Sequence, residues 1–298
     1  MVELLKRYGA NPLSGVKHGE SIETEFRQAV KSGEVKKVRN MLALFEAEGS
    51  PNTLQQLATR DELGQTPLHL AALHGHDEII RMILNHGAPV DPLNQEGYTP
   101  LHKLIWQAHD GGLDEIIHDM VIAGANIKSA DESGRTALMR VIEANRTKLV
   151  ELLLSKGADV SAIDTDQRGA LVYAAGGTPK NFLILRLLFE HKRQSDGSLC
   201  PAIADQIYKA DNTGKTPFLA ACYADEKMML ILERGMNTGN STPASRTAHG
   251  YRLLRAAILS SSKQCVKFLL DRGKDFIDLD KVYQDPALAA SFAIMSRK

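Results

Sequence analysis

Aromatic side chains are scarce in this sequence: Phe, Trp and Tyr make up 5% of its 298 residues, with a single Trp. That disfavours a β-sandwich, whose core leans on large rings. Charge of one sign is missing too, since 36 basic and 36 acidic residues cancel. No global field draws the chain to nucleic acid or to an anionic membrane. The basic run Lys31, Lys36, Lys37 and Arg39 reads as a solvated helix face. The three cysteines, Cys200, Cys222 and Cys265, are odd in number and widely spaced, and match neither a disulfide framework nor a C-x-x-C metal knuckle. They read as reduced thiols, which points to the cytoplasm. No apolar run approaches the roughly eighteen residues of a membrane helix. The opening Met-Val-Glu-Leu-Leu-Lys-Arg-Tyr-Gly lacks the apolar stretch of a signal peptide.

What the sequence has instead is periodicity. Gly64-Gln-Thr-Pro-Leu-His69 recurs as Gly97-Tyr-Thr-Pro-Leu-His102 and as Gly134-Arg-Thr-Ala-Leu-Met139. Weaker or later copies are Gln167-Arg-Gly-Ala-Leu-Val172, Gly214-Lys-Thr-Pro-Phe-Leu219 and Gly250-Tyr-Arg-Leu-Leu-Arg255. Their starts lie 33, 37, 33, 47 and 36 residues apart, a base period of 33 with three insertions. Downstream of four copies an apolar run ends in Gly, as in Ile83-Leu-Asn-His-Gly-Ala88 and Leu153-Leu-Ser-Lys-Gly-Ala158.

Elementary chemistry turns each period into two short helices and a turn. Thr66-Pro67 sets an N-cap and then Pro at the first helical position, where its missing N–H costs nothing. Leu68, Ala71 and Ala72 share one face, Gly75 breaks the helix, and Asp77–Asn85 forms a second helix with Ile79, Ile80 and Ile83 inward. Gly87 supplies a left-handed residue, and Asn94–Gly97 turns the chain into a projecting fingertip. Such a unit cannot bury both its faces alone, so it is stable only when stacked. At the fourth copy Gly169 replaces the capping Thr, which predicts a helix start looser by about 1 kcal/mol.

Thr-Pro-Leu-His-x-Ala followed by an apolar helix ending in Gly-Ala resembles the ankyrin repeat, over roughly residues 20–285. The resemblance implies an all-α solenoid, here taken as one domain over residues 1–298. Residues 1–60 are expected to form an irregular half-repeat, at Val2–Pro12, and capping helices at Ile22–Lys31 and Val35–Leu44. Residues 61–280 hold about six repeats, and 281–298 a C-terminal cap around Pro286–Met295. Insertions fall at Gln107–Leu113 and at 192–207, and Pro51–Leu57 lengthens the approach to the first clear repeat.

Nothing in the sequence announces catalysis. A Ser nucleophile elbow, a phosphate-binding Gly loop, H-E-x-x-H and kinase signatures are all lacking, so the chain is not read as an enzyme, and no cofactor or metal is expected. His69, His74, His76 and His86 are poorly spaced for zinc. By the ankyrin resemblance His69 and His102 stabilise turns through backbone hydrogen bonds.

The same resemblance implies that a partner protein binds fingertips and the exposed face of each first helix. By register the fingertip candidates are Tyr98, Arg135, Arg168, Lys215 and Tyr251, and the groove candidates are Trp106, Glu143 and Tyr223. Trp106 stands out because Trp, Tyr and Arg most often become binding hot spots. The bland alternative packs Trp106 under the 107–113 loop as local core, and leaves Arg135 and Arg168 as solvated charges. The leading expectation is a monomeric adaptor or scaffold. The rivals are a recognition domain of a larger enzyme or of a bacterial effector acting in host cytosol, and an aromatic-cage reader of a modified peptide built on Trp106 and Tyr98.

Overall fold

The computed structural model describes residues 22–48, 50–107, 112–176, 181–191, 203, 206–207, 209–224, 250–251, 253–255, 257–258, 263–271 and 279–296. The described residues form short helices joined by tight turns, as an all-α ankyrin fold requires. The nearest to β-structure among them are two single antiparallel bridges, Ala130–Thr136 and Ile163–Gly169, at the feet of two turns. The chain divides into two compact units, 1–140 and 141–298.

The first unit contains α1 (Ile22–Lys31), α2 (Val35–Glu48), α3 (Ser50–Ala58), α4 (Pro67–Leu73), α5 (Asp77–Asn85), α6 (Pro100–Gln107) and α7 (Asp114–Ile122). α1, α4 and α6 stack in one row, and α2, α5 and α7 in a second row. Between the rows lie Leu68, Ala71, Ala72, Ile79, Ile80 and Ile83, all excluded from water. Each buried aliphatic side chain of that size stabilises the unit by about 1.5–3 kcal/mol, and the two alanines let α4 and α6 approach closely. Phe26 and Phe45 meet edge to face at 5.2 Å and close the N-terminal end of this core.

α1 and α2 form at the expected places, whereas α3 was expected only as a lengthened approach. Pro51 does not prevent it, because it lies in the first turn, where its missing N–H leaves no helical bond unmade. Leu57 anchors this helix, fully buried, where α3 packs on α2 and α4. The half-repeat expected at Val2–Pro12 lies outside the described residues.

The second unit contains α9 (Thr147–Ser155), α10 (Ala170–Gly176), α11 (Phe182–Glu190), α12 (Pro217–Ala224), α13 (Lys263–Leu270), α14 (Leu279–Gln284) and α15 (Pro286–Ser296). The division between units falls within α8 (Ala137–Glu143). α10 packs on α11 and α12, α9 on α11, α12 on α13, and α14 on α15.

Two expectations change in this unit. The start of α10 is not left uncapped by Gly169. Gln206 occupies the space where a β-carbon at 169 would collide with its Oε1. That oxygen accepts a hydrogen bond from the Leu171 N–H at 3.4 Å, while Nε2 donates to the Val160 carbonyl. A side chain near the end of the 192–207 insertion thus takes over the work of the missing Thr. Ile203 and Ile207 of the same insertion are buried. Cys265, fully buried on α13, is disulfide-bonded and is not the reduced thiol expected for it. Cys200 and the side chain of Cys222 lie outside the described residues.

Candidate partner-binding site

Each fingertip is built on one side chain. Asp61, Asn94, Asp131, Asp164 and Asp211 each turn Oδ1 toward the backbone N–H groups two and four residues ahead, at 2.8–3.0 Å. The turn then needs a left-handed residue at its end, two positions before the capping position. Gly64, Gly97, Gly134 and Gly214 provide it with φ between 71° and 80°, and Gln167 takes the same conformation at φ 63°.

Behind the first two of these turns stands the Thr–His pair of the following helix. His69 Nδ1 accepts from the Thr66 N–H at 3.1 Å and from its hydroxyl at 2.9 Å, while Nε2 donates to the Tyr98 carbonyl at 2.9 Å. His102 repeats this with Thr99 and the Ser129 carbonyl. Both histidines therefore tie one repeat to the next, the role expected for them. Burial pushes the His69 imidazole down to about 4 and lowers that of His102, so both are neutral near pH 7. Among the described residues no group of three or more His, Cys, Asp or Glu side chains could hold a metal.

The second carboxylate oxygen of the turn residue selects what lies beside the groove. Asp131 Oδ2, wholly buried, takes the Arg140 guanidinium through Nη2 at 2.6 Å and Nε at 3.2 Å. Asp164 Oδ2 takes Arg168 Nε at 2.9 Å and the Tyr173 hydroxyl at 2.6 Å. Burial alone would raise the Asp164 carboxyl, but these donors outweigh it and hold it below the usual carboxylate range.

In the second repeat the turn residue is Asn94, whose remaining atom is an amide nitrogen and cannot accept from a cation. Lys103 sits at the helix position of Arg140. Its ammonium bonds instead to Glu96 Oε2 at 2.9 Å, on the fingertip itself. That diversion carries Nζ over the Tyr98 ring, 4.3 Å from its centroid and 5.9 Å from that of Trp106. The Lys103 side chain is only 7% exposed. Its hydrogen bond and charge hold the Glu96 carboxyl below the usual range.

Tyr98 and Trp106, singled out by register, are brought together, with ring centroids 6.1 Å apart and planes 50° apart. The Arg140 guanidinium lies 5.8 Å from the Trp106 ring. Trp106 remains 51% exposed, so it is no core residue under the 107–113 loop. Residues 108–111 of that loop lie outside the described ones. Leu73, Glu96, Tyr98, Lys103, Trp106, Gln107 and Glu132 line a pocket of about 280 Å³. The Tyr98 face that an aromatic cage would offer to a methylated ammonium is filled by the protein's own Lys103.

The remaining candidates are more scattered. Arg135 is half-buried, with its N–H on Asp131, and Glu143 is exposed at the end of α8. Arg168 is held by Asp164 and by Asp166 at 2.5 Å, and lies 5.3 Å from the Tyr173 ring centroid. Lys215 and Tyr251 are half-buried, and the side chain of Tyr223, on α12, lies outside the described residues. Lys103, Arg140 and Tyr173 escaped the register argument. They occupy the helix position of Leu70, one turn before Trp106, and replacing Leu by Lys, Arg or Tyr there was the available signal.

A family model described as ankyrin repeats (3 copies) matches residues 26–111 and 104–199, more than half of the sequence. The chain belongs to the ankyrin-repeat family. Ankyrin repeats are non-catalytic modules of protein–protein interaction. The chain is similar to the mouse B-cell lymphoma 3 protein homolog, 25% identical over 78% of this chain and 53% of that protein. It is also similar to human transient receptor potential cation channel subfamily A member 1, 27% identical over 74% of this chain and 22% of the channel protein. The Arabidopsis thaliana E3 ubiquitin-protein ligase KEG is 29% identical over 83% of this chain and 19% of the ligase. The chain thus spans about half or less of the length of these relatives. No helix among the described residues is long and apolar enough to cross a membrane.

Proposed function

We propose that this ankyrin-repeat protein is an adaptor, not an enzyme, and that it holds a partner protein against the Tyr98–Trp106 surface of its second repeat. One observation carries the reading. The only Trp of the chain stands half exposed beside a pocket, against the tilted ring of Tyr98 and flanked by two cations that are already neutralised. A ring so held has little freedom left to lose on binding, and it gives up apolar surface to a partner at little cost. Arg135, on the next fingertip of the same unit, extends that surface. Arg168 is occupied by its own turn and contributes less. A cytoplasmic location goes with this proposal, or host cytosol if the chain is a delivered effector. The disulfide at Cys265 is the observation that stands against a reducing compartment.

Affinity capture from lysate tests the reading, with wild type compared to Trp106→Ala and to an Arg135→Glu variant, each shown by circular dichroism to be folded. A protein retained by wild type and lost with Trp106→Ala supports the adaptor, because truncating a hot-spot Trp costs about 2 kcal/mol or more. Identical capture by wild type and Trp106→Ala removes this surface from the site.

A further inference from the structure

We propose that the partner segment seated in the Tyr98–Trp106 pocket presents an apolar side chain next to a basic one, the apolar group on Leu73 and Trp106 and the cation on Glu132. This inference rests on the adaptor reading and names the chemistry of its partner.

The size of the pocket decides the kind of occupant. At about 280 Å³ it lies just below the smallest pockets that bury a cofactor-sized molecule, roughly 300 Å³, and suits one or two side chains of a protein. Its charges decide the rest. Of the ionised groups lining it, Lys103 and Glu96 satisfy each other at 2.9 Å. Arg140, over the Trp106 ring, is held by the buried Asp131. Glu132 is different. It is exposed, forms no ion pair among the described residues, and reaches from the third fingertip across to the second, where its side chain would lie 3.8 Å from a β-carbon at Gly97. Among the described residues, the pocket rim therefore carries one carboxylate with no cation of its own, within the same wall as two aromatic rings.

An acidic partner residue would meet that carboxylate unshielded. A basic one completes it and rests its aliphatic stem along the rings, as long cationic side chains do at apolar surfaces.

Phage selection from random dodecapeptides, run on the wild type, Glu132→Lys and Trp106→Ala, tests the proposal. The wild type should enrich peptides with Leu, Ile or Phe beside Lys or Arg. Fluorescence of the single Trp then measures their affinity, with peptides that contain no Trp. Glu132→Lys should weaken the selected peptides about tenfold, and should itself enrich Asp or Glu in place of the basic residue. Trp106→Ala, followed by a dye on the peptide, should weaken them about 30-fold. Peptides that depend on Trp106 but show no basic preference, or ignore Glu132→Lys, overturn the proposed chemistry and leave the surface standing. Peptides indifferent to both substitutions overturn the surface as well. If the wild type enriches nothing above the bare support, the proposed occupant is wrong, and the capture experiment alone judges the adaptor.

Discussion

Acidification from pH 7 to pH 5 should cost the folded protein about 2 kcal/mol through His69 alone. The imidazole is fully buried, accepts at Nδ1 from Thr66 and donates at Nε2 to the Tyr98 carbonyl, so the folded state has no place for a second proton. Its folded pKa of about 4 lies below the ordinary 6.5 of an unfolded chain. The unfolded state therefore takes up the proton first. Stability from this residue is complete above about pH 6.5 and drains as pH falls toward about 4. Over the whole window the loss approaches about 3 kcal/mol, and the part above pH 5 is about 2 kcal/mol. His102 is lowered by burial in the same way and adds a loss of the same sign. Urea unfolding followed by far-UV circular dichroism at both pH values, on the wild type and His69→Gln, isolates the effect. Carboxylates common to both proteins cancel in the comparison. The variant starts weaker at pH 7 by about 1 kcal/mol for its altered hydrogen bonds, but should lose about 2 kcal/mol less on acidification. Equal losses in the two proteins would refute the buried, neutral histidine.

The turn residues yield a contrast. Asp131→Asn should destabilise by about 3 kcal/mol because it strands the Arg140 guanidinium. Asp61→Asn should cost under about 0.5 kcal/mol, since Asp61 serves only two N–H groups, as Asn94 already does. Urea midpoints of the two variants check this. Gly169→Thr restores the repeat motif yet should lower the thermal midpoint, because the new side chain displaces Gln206 from the Leu171 N–H. A raised midpoint would mean that Gln206 is not the cap. Gln167→Gly should stabilise by about 1 kcal/mol through relief of the left-handed backbone at φ 63°, again read from urea unfolding.

How much of this was legible in advance depends on the range of the interaction. Turns and capping pairs follow from neighbours in sequence. Thr66-Pro67, Gly75, Gly87 and the turn at Asn94–Gly97 were readable as chemistry, and the helix pairs followed, while the role of His69 came with the ankyrin resemblance. The placement of Tyr98 beside Trp106 was legible by register, because seven to eight residues on a fixed scaffold bring a fingertip and a first-helix face together. What was not legible involves a choice between partners. Lys103 pairs with Glu96 only because Asn94 cannot accept from it, and a register count does not weigh the acceptors. Gln206 caps α10 from 37 residues beyond Gly169, across an insertion whose path no periodicity fixes. The helix Ser50–Ala58 was hidden by its Pro, and the burial of Leu57 against α2 and α4 decided it.

Site-specific photo-crosslinking in lysate shows most directly whether the partner sits on the Tyr98–Trp106 surface. A benzophenone amino acid is placed at Gln107, on the pocket edge, or at Glu115, whose side chain is 94% exposed on α7 in the second row of helices. A discrete crosslinked protein is expected from position 107, abolished by adding Trp106→Ala, and none from position 115. Crosslinking from 115 with none from 107 would contradict it and move the partner to the opposite row of helices.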